Sequence, residues 1–148
     1  MAEKKNAISY ESIMKDLKAR KFAPVYVLMG DEPFYIDKIC DYIAENVLQP
    51  EERDFNQTVL FGADTTAVQV VDQCKGYPMM AEFRVVIVKE AQNLKSLDAL
   101  EKYLEKPVKS TILVICNKNG SIDRRKKFIP RAEQVGVVFE SKKLYDRQ

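Results

Sequence analysis

Residues 26–38 read YVLMGDEPFYIDK: an apolar run, a single glycine at position 30, then a proline-led segment with helical spacing. Strand, glycine turn and helix in that order are the layout of a phosphate-binding loop. Such a loop needs particular residue types at fixed places.

The pattern G-x-x-x-x-G-K-[ST] uses its glycines to let backbone N–H groups wrap phosphates, its lysine to neutralise them and its hydroxyl to hold magnesium. Counted from Gly30, the last three places hold Tyr35, Ile36 and Asp37. The tyrosine obstructs the wrap, the isoleucine carries no charge, and the aspartate repels phosphate. Asp31 and Glu32 add negative charge where an anion would sit, although they suit a helix N-terminus and read as capping residues rather than metal ligands. Lys38 falls two places late. The strand RVVIVKEA (84–91) ends in Lys89 where a magnesium-binding acid is wanted, and the same lysine leaves a phosphoryl-accepting receiver domain without its acceptor aspartate. The sequence thus predicts a degenerate nucleotide site, with no cofactor, no metal and no catalytic residue.

Working outward, strands and helices alternate. PVYVLMG (24–30), QTVLFG (57–62), RVVIVKEA (84–91), STILVICNK (110–118) and GVVFES (136–141) read as five strands, most of them apolar throughout and hence covered on both faces. Ile8 to Arg20 reads as a helix with Ser9 as N-cap. A second runs from Pro33 to about Leu48 with Ile36, Ile39, Cys40, Ile43 and Val47 on one face. TTAVQVVDQC (65–74) starts on a threonine cap with Val68, Val71 and Cys74 inward, and LKSLDALEKYLEK (94–106) repeats leucine at 94, 97, 100 and 104 before Pro107. A basic helical stretch precedes the last strand. The expected fold is α/β, a three-layer doubly wound parallel sheet of five strands, in one domain over 9–148 after a polar tail, 1–8. Ligands in such sheets gather at the strands' carboxyl ends, where GDEP, KEAQN and NKNG would meet.

Composition excludes more than it names. With 24 basic against 22 acidic residues, the net charge of +2 does not advertise nucleic-acid binding. No histidine is present, so histidine triads and histidine metal sites are ruled out, and the three cysteines are scattered within apolar patterns as buried thiols. No segment has the length and apolarity of a signal core or membrane span, and the expectation is a cytoplasmic protein with no membrane partner.

CKGYPMMAEFR (74–84) is the other unusual stretch, because a connection in an α/β sheet is normally polar and this one carries Tyr77, Pro78, Met79 and Met80 in a row. The residues alone leave two readings: satellite packing under the core, or an exposed anchor for a partner's groove, with methionine supplying adaptability and proline reducing the entropy of ordering. Phe83 is expected inside.

Together, PVYVLMGDEPFYIDK (24–38), FNQTVLFGAD (55–64), GYPMMAEFRVVIVKEAQNLK (76–95) and TILVICNKN (111–119) resemble the N-terminal domain of the delta subunit of the bacterial DNA polymerase III clamp loader, over about Ile8 to Tyr145. The resemblance implies an AAA+-like domain that has lost its nucleotide site and acts in DNA replication. The subunit itself is not an enzyme, though its parent holoenzyme is a nucleotidyltransferase. It further implies that Tyr77, Pro78, Met79 and Met80 insert into a pocket of the ring-shaped sliding clamp, the beta subunit, and promote ring opening. The family commonly has leucine and phenylalanine at the two key places, so Met79 and Met80 depart from it. Family members continue into a lid and a collar that joins the other loader subunits. KKLYDRQ (142–148) looks like the point before the lid, so a monomeric fragment outside ATP control is expected. An unusual nucleotide- or phosphoryl-binding domain is the alternative.

KNGSIDRRKKFIPR (118–131) places Lys118, Arg124, Arg125, Lys126, Lys127 and Arg131 close in sequence. They read as a solvated helix face or as a surface facing DNA or a neighbouring subunit within the loader.

Overall fold

The computed structural model describes residues 8–142, so most of the polar tail and residues 143–148 of KKLYDRQ lie outside the described part. The elements in order are α1 (Tyr10–Lys18), β1 (Val25–Gly30), α2 (Pro33–Asn46), α3 (Pro50–Asn56), β2 (Gln57–Phe61), α4 (Ala67–Cys74), β3 (Arg84–Lys89), α5 (Asp98–Tyr103), β4 (Thr111–Lys118), α6 (Phe128–Val135) and β5 (Val137–Ser141). The five strands form one sheet in the order β2-β3-β4-β1-β5. Every pair is parallel.

Strand order explains the layers. The chain leaves β1 for the far edge at β2, then steps back through β3 and β4 and over β1 to β5. Right-handed crossovers in opposite directions along a sheet put their helices on opposite faces. Accordingly α4, α5 and α6 pack on one face, with Val27, Met29, Val86, Val88, Leu113 and Ile115 pointing to them. On the other face α1 and α2 cover Tyr26, Leu28, Val85, Ile87, Val114 and Cys116. Alternate residues of each central strand thus feed two cores, which is why those strands are apolar without a break.

Local signals set most helix starts. The Ser9 hydroxyl accepts from Ser12 N at 3.0 Å, Thr66 and Gln69 form a capping box at α4, and Pro33 opens α2 with Glu32 as N-cap. Cys40, Cys74 and Cys116 are buried and unpaired as disulfides. Burial pushes the Cys74 thiol up to about 12. Phe83, expected inside, is half-buried and packs edge-on against Phe22, ring centroids 5.4 Å apart.

Four expectations need correction. Val68 is exposed, and Ala67, Val70, Val71 and Cys74 point inward, because the helix begins one residue after Thr66 and its face is set by Val70. The leucine repeat does not make one long helix: a short 3-10 turn spans Ala91–Asn93 and α5 starts only at Asp98. Leu94 and Leu97 lie before α5 and still pack on the core. Pro50–Asn56 is helical although it was not read as an element, for PEERDFN has no apolar periodicity and is held by a capping box between Gln49 and Glu52. Finally, Arg124, Arg125, Lys126 and Lys127 precede α6 rather than lying on a helix face.

Candidate functional site

The three loops expected at the carboxyl ends do meet. Gly30 pairs with Gly120 across an isolated bridge. Its N–H donates to Gly120 O at 2.9 Å, and Asn119 N donates to Gly30 O at 3.0 Å. Gln92, in the loop after β3, accepts from Lys118 N at 3.1 Å.

What they enclose is not a phosphate cradle. Gly30 has φ +127°, and a Cβ there would stand 2.0 Å from Ser141 O, so the backbone of β5 fills the space beside the turn. Glu32 N donates to that same oxygen at 3.2 Å. The Glu32 carboxylate accepts from Phe34 N at 3.1 Å, taking up a helix N–H that could otherwise hold an anion. Tyr35 leans on Tyr10, ring centroids 4.8 Å apart. Ile36, at the lysine place of the motif, is wholly buried. Asp37, at the hydroxyl place, forms an ion pair with Lys118 at 2.7 Å, and this carboxylate holds the Lys118 ammonium above its usual range. The motif's lysine and hydroxyl places are therefore taken up within the protein itself. Asp31 is exposed beside them.

The apolar turn lies at the opposite end of the sheet, between the C-terminus of α4 and the amino end of β3. Its base is tied down. Arg84 donates through Nε to Gln73 O and through Nη2 to Gln73 Oε1, both at 2.7 Å, and the buried Thr111 hydroxyl donates to Cys74 O at 2.6 Å. Its tip is bare: Tyr77 is 78% exposed, Met79 61% and Met80 98%. Pro78 is half-buried.

Two residues that sequence reasoning missed complete this end. Asn56, 1% exposed at the end of α3, accepts from Met79 N at 2.6 Å and donates to Met79 O at 2.9 Å. Its neighbour Phe55 is 67% exposed, a fourth large apolar side chain at the same end of the sheet. Met80, the next residue, has a left-handed backbone with φ +56°. An exposed phenylalanine just before an expected strand was the available signal for Phe55. Asn56 had none, since its partner is 23 residues away.

Four of the six basic residues face carboxylates. Lys118 is paired with Asp37. Arg124 reaches both Glu133 and Glu140 at 3.2 and 3.1 Å, Arg125 is paired with Asp123, and Arg131 with Glu105. The Ser121 hydroxyl and Arg124 together hold the Glu140 carboxyl below its usual range. Among the described residues no cluster of histidine, cysteine, aspartate and glutamate could hold a metal, and no helix is long and apolar enough to cross a membrane.

The sequence model of the DNA polymerase III delta subunit matches residues 26–142. The DNA polymerase III delta subunit of Bacillus subtilis (strain 168) is 28% identical over 142 residues, which is 89% of this chain and 41% of that protein. The solved DNA clamp loader delta protein of Bacillus subtilis superposes with a TM-score of 0.83 at 27% identity, covering 92% of this chain and 43% of the other. A gamma subunit-related protein of DNA polymerase III from Thermotoga maritima shares the fold with a TM-score of 0.56 at 18% identity, over 95% of this chain and 47% of that one. These likenesses support the expected α/β architecture, a five-stranded parallel sheet between helix layers. The chain thus spans about two-fifths of the delta proteins it matches.

Proposed function

The chain belongs to the DNA polymerase III delta subunit family, and from that premise we propose that it is a clamp-loader module for DNA replication that binds the sliding clamp through Tyr77, Pro78, Met79 and Met80. The single observation that carries this is the turn itself: three large apolar side chains stand out from a base fixed by Arg84 and Thr111. Exposing apolar surface is unfavourable for a free protein and is commonly repaid at a protein interface. Burying two methionines contributes roughly 3–6 kcal/mol gross at ~1.5–3 each, which supports a weak complex unless neighbouring contacts add to it.

Nucleotide hydrolysis has no part in this role, because Ile36 and Asp37 occupy the motif's lysine and hydroxyl places and Lys118 pairs with Asp37. The chain's contribution is mechanical: a rigid α/β body holds an adaptable apolar tip, and seating the tip in the ring's pocket biases the ring toward its open form by whatever extra affinity the open form offers. Opening the ring by this route requires that differential affinity and no chemistry. Other loader subunits, and DNA within the assembled loader, are the further partners this reading implies.

Titration of the 148-residue chain with the sliding clamp of its own organism tests the assignment. The expected result is measurable binding that Met79→Ala combined with Met80→Ala reduces at least tenfold, with an unchanged melting temperature. Undiminished binding by a folded double variant would overturn the anchor.

A further inference from the structure

We propose that Asn56 is a positioning residue for the clamp-binding turn, fixing the backbone of Met79 so that the two methionine side chains are presented together before any partner arrives. The inference rests on the clamp-binding reading above and deepens it.

Three hydrogen bonds carry it. The Asn56 carboxamide accepts from Met79 N at 2.6 Å and donates to Met79 O at 2.9 Å, and its second donor position is taken by Glu52 O at 2.9 Å. A primary amide has two donors and two acceptor sites, so this side chain uses both faces on one peptide neighbour and its own helix. Nothing else in the chemistry of Asn56 accounts for its burial, since asparagine is mostly exposed in folded proteins and is costly to bury without partners. The backbone it grips belongs to a turn whose Tyr77, Met79 and Met80 side chains are exposed. A bond of this kind contributes little to the core itself and much to the geometry of the tip.

The next residue explains why such a grip is useful. Met80 adopts a left-handed backbone, φ +56°, at a place where glycine would adopt it more readily. A free loop would relax from that conformation. Pinning both the N–H and the C=O of Met79 holds the chain direction entering Met80, so the strained residue stays in place and 98% exposed. Rigid presentation lowers the entropy lost on docking, which is how a short apolar tip gains affinity without gaining area. The placement of Asn56 at the end of α3 also gives that short polar helix a purpose: it carries the amide to the amino end of β3.

The test is clamp affinity of the chain with Asn56→Ala, with Met79→Ala/Met80→Ala, and with all three substitutions, together with amide hydrogen exchange at Met79 and Met80 in the unbound proteins. The expected result is a fivefold or greater loss for Asn56→Ala in the native turn, little further loss when both methionines are already alanine, and faster exchange at Met79. Asn56→Asp, which keeps the acceptor for Met79 N and loses the donors to Met79 O and Glu52 O, should also weaken binding and serves in its place if the alanine variant does not fold. Unchanged affinity with either Asn56 variant, or an equal loss in the presence and absence of the methionines, would overturn the positioning role. If the methionine substitutions alone leave affinity intact, the clamp-binding reading fails instead.

Discussion

Lys118 Nζ stands 2.7 Å from Asp37 Oδ1, a bond between the carboxyl end of β4 and the first turns of α2. The place where a phosphate loop sets a hydroxyl for magnesium is thus closed by an ion pair across the two elements that would frame the site. Both groups are partly exposed, 31% and 52%, so the pair is worth about 0–1 kcal/mol. Its importance is in what it occupies rather than in stability.

That pair has a pH signature. The carboxylate raises the Lys118 ammonium above lysine's usual 10.5, so its contribution is fully present below that value and is lost as the pH rises through the raised one. Urea midpoints for the native chain and Lys118→Met, taken from pH 8 to 11, should differ by a small constant amount up to about pH 10.4 and converge above it. A gap that widens with alkalinity would contradict the assignment.

Gly30 is the one residue of the phosphate-loop pattern that the structure keeps for geometric reasons. With φ +127° and Ser141 O only 2.0 Å from a built Cβ, Gly30→Ala should cost about 2–4 kcal/mol, combining backbone strain with displacement of β5. Equilibrium denaturation measures it. A loss below about 1 kcal/mol would mean that β5 yields easily.

Phe55 should contribute to clamp binding although it lies outside the turn. Its exposure predicts that Phe55→Ala changes folding stability by no more than about 0.5 kcal/mol. Affinity for the clamp should fall severalfold in calorimetric titration. Equal affinity would place Phe55 outside the contact.

Much of the fold was legible because the strands are covered on both faces. Val25 to Met29 and Ile112 to Cys116 supply side chains alternately to two cores, and that demand writes itself into the sequence as unbroken apolar runs. Pro33, Ser9 and Thr66 marked helix starts by local chemistry alone. The failures have a different cause. Val68 was placed inward from a spacing that Val70 fits better, and α3 has no apolar stripe to announce it. The ties that define the candidate site join residues far apart in sequence: Asn56 to Met79, Asp37 to Lys118, Gln92 to Lys118. Side-chain bonds of that range leave no periodic trace. The turn's apolarity was visible, but whether it faced water depended on Arg84 and Asn56 holding its base.

The basic segment shows the same limit. Six cations close in sequence suggested one charged surface, yet Lys118, Arg124, Arg125 and Arg131 each face a carboxylate. Binding of this chain to duplex DNA should therefore be weak, with log K falling against log salt concentration with a slope shallower than about −2, where six unpaired contacts would give about −5. Fluorescence anisotropy between 50 and 200 mM salt reads that slope directly. A steep slope would restore the DNA-facing reading.

On the proposed function, this fold meets the clamp through a greasy tip at the amino end of β3 and not through the closed loop at the other end of the sheet. Amide hydrogen exchange of the chain, alone and saturated with its sliding clamp, measures this most directly. Slowed exchange concentrated around residues 77–80 and 55–56, with residues 30–37 and 118–120 unchanged, is the predicted result. Protection confined to the loops around Gly30 and Lys118, with the Met79–Met80 segment as free as before, would contradict the account.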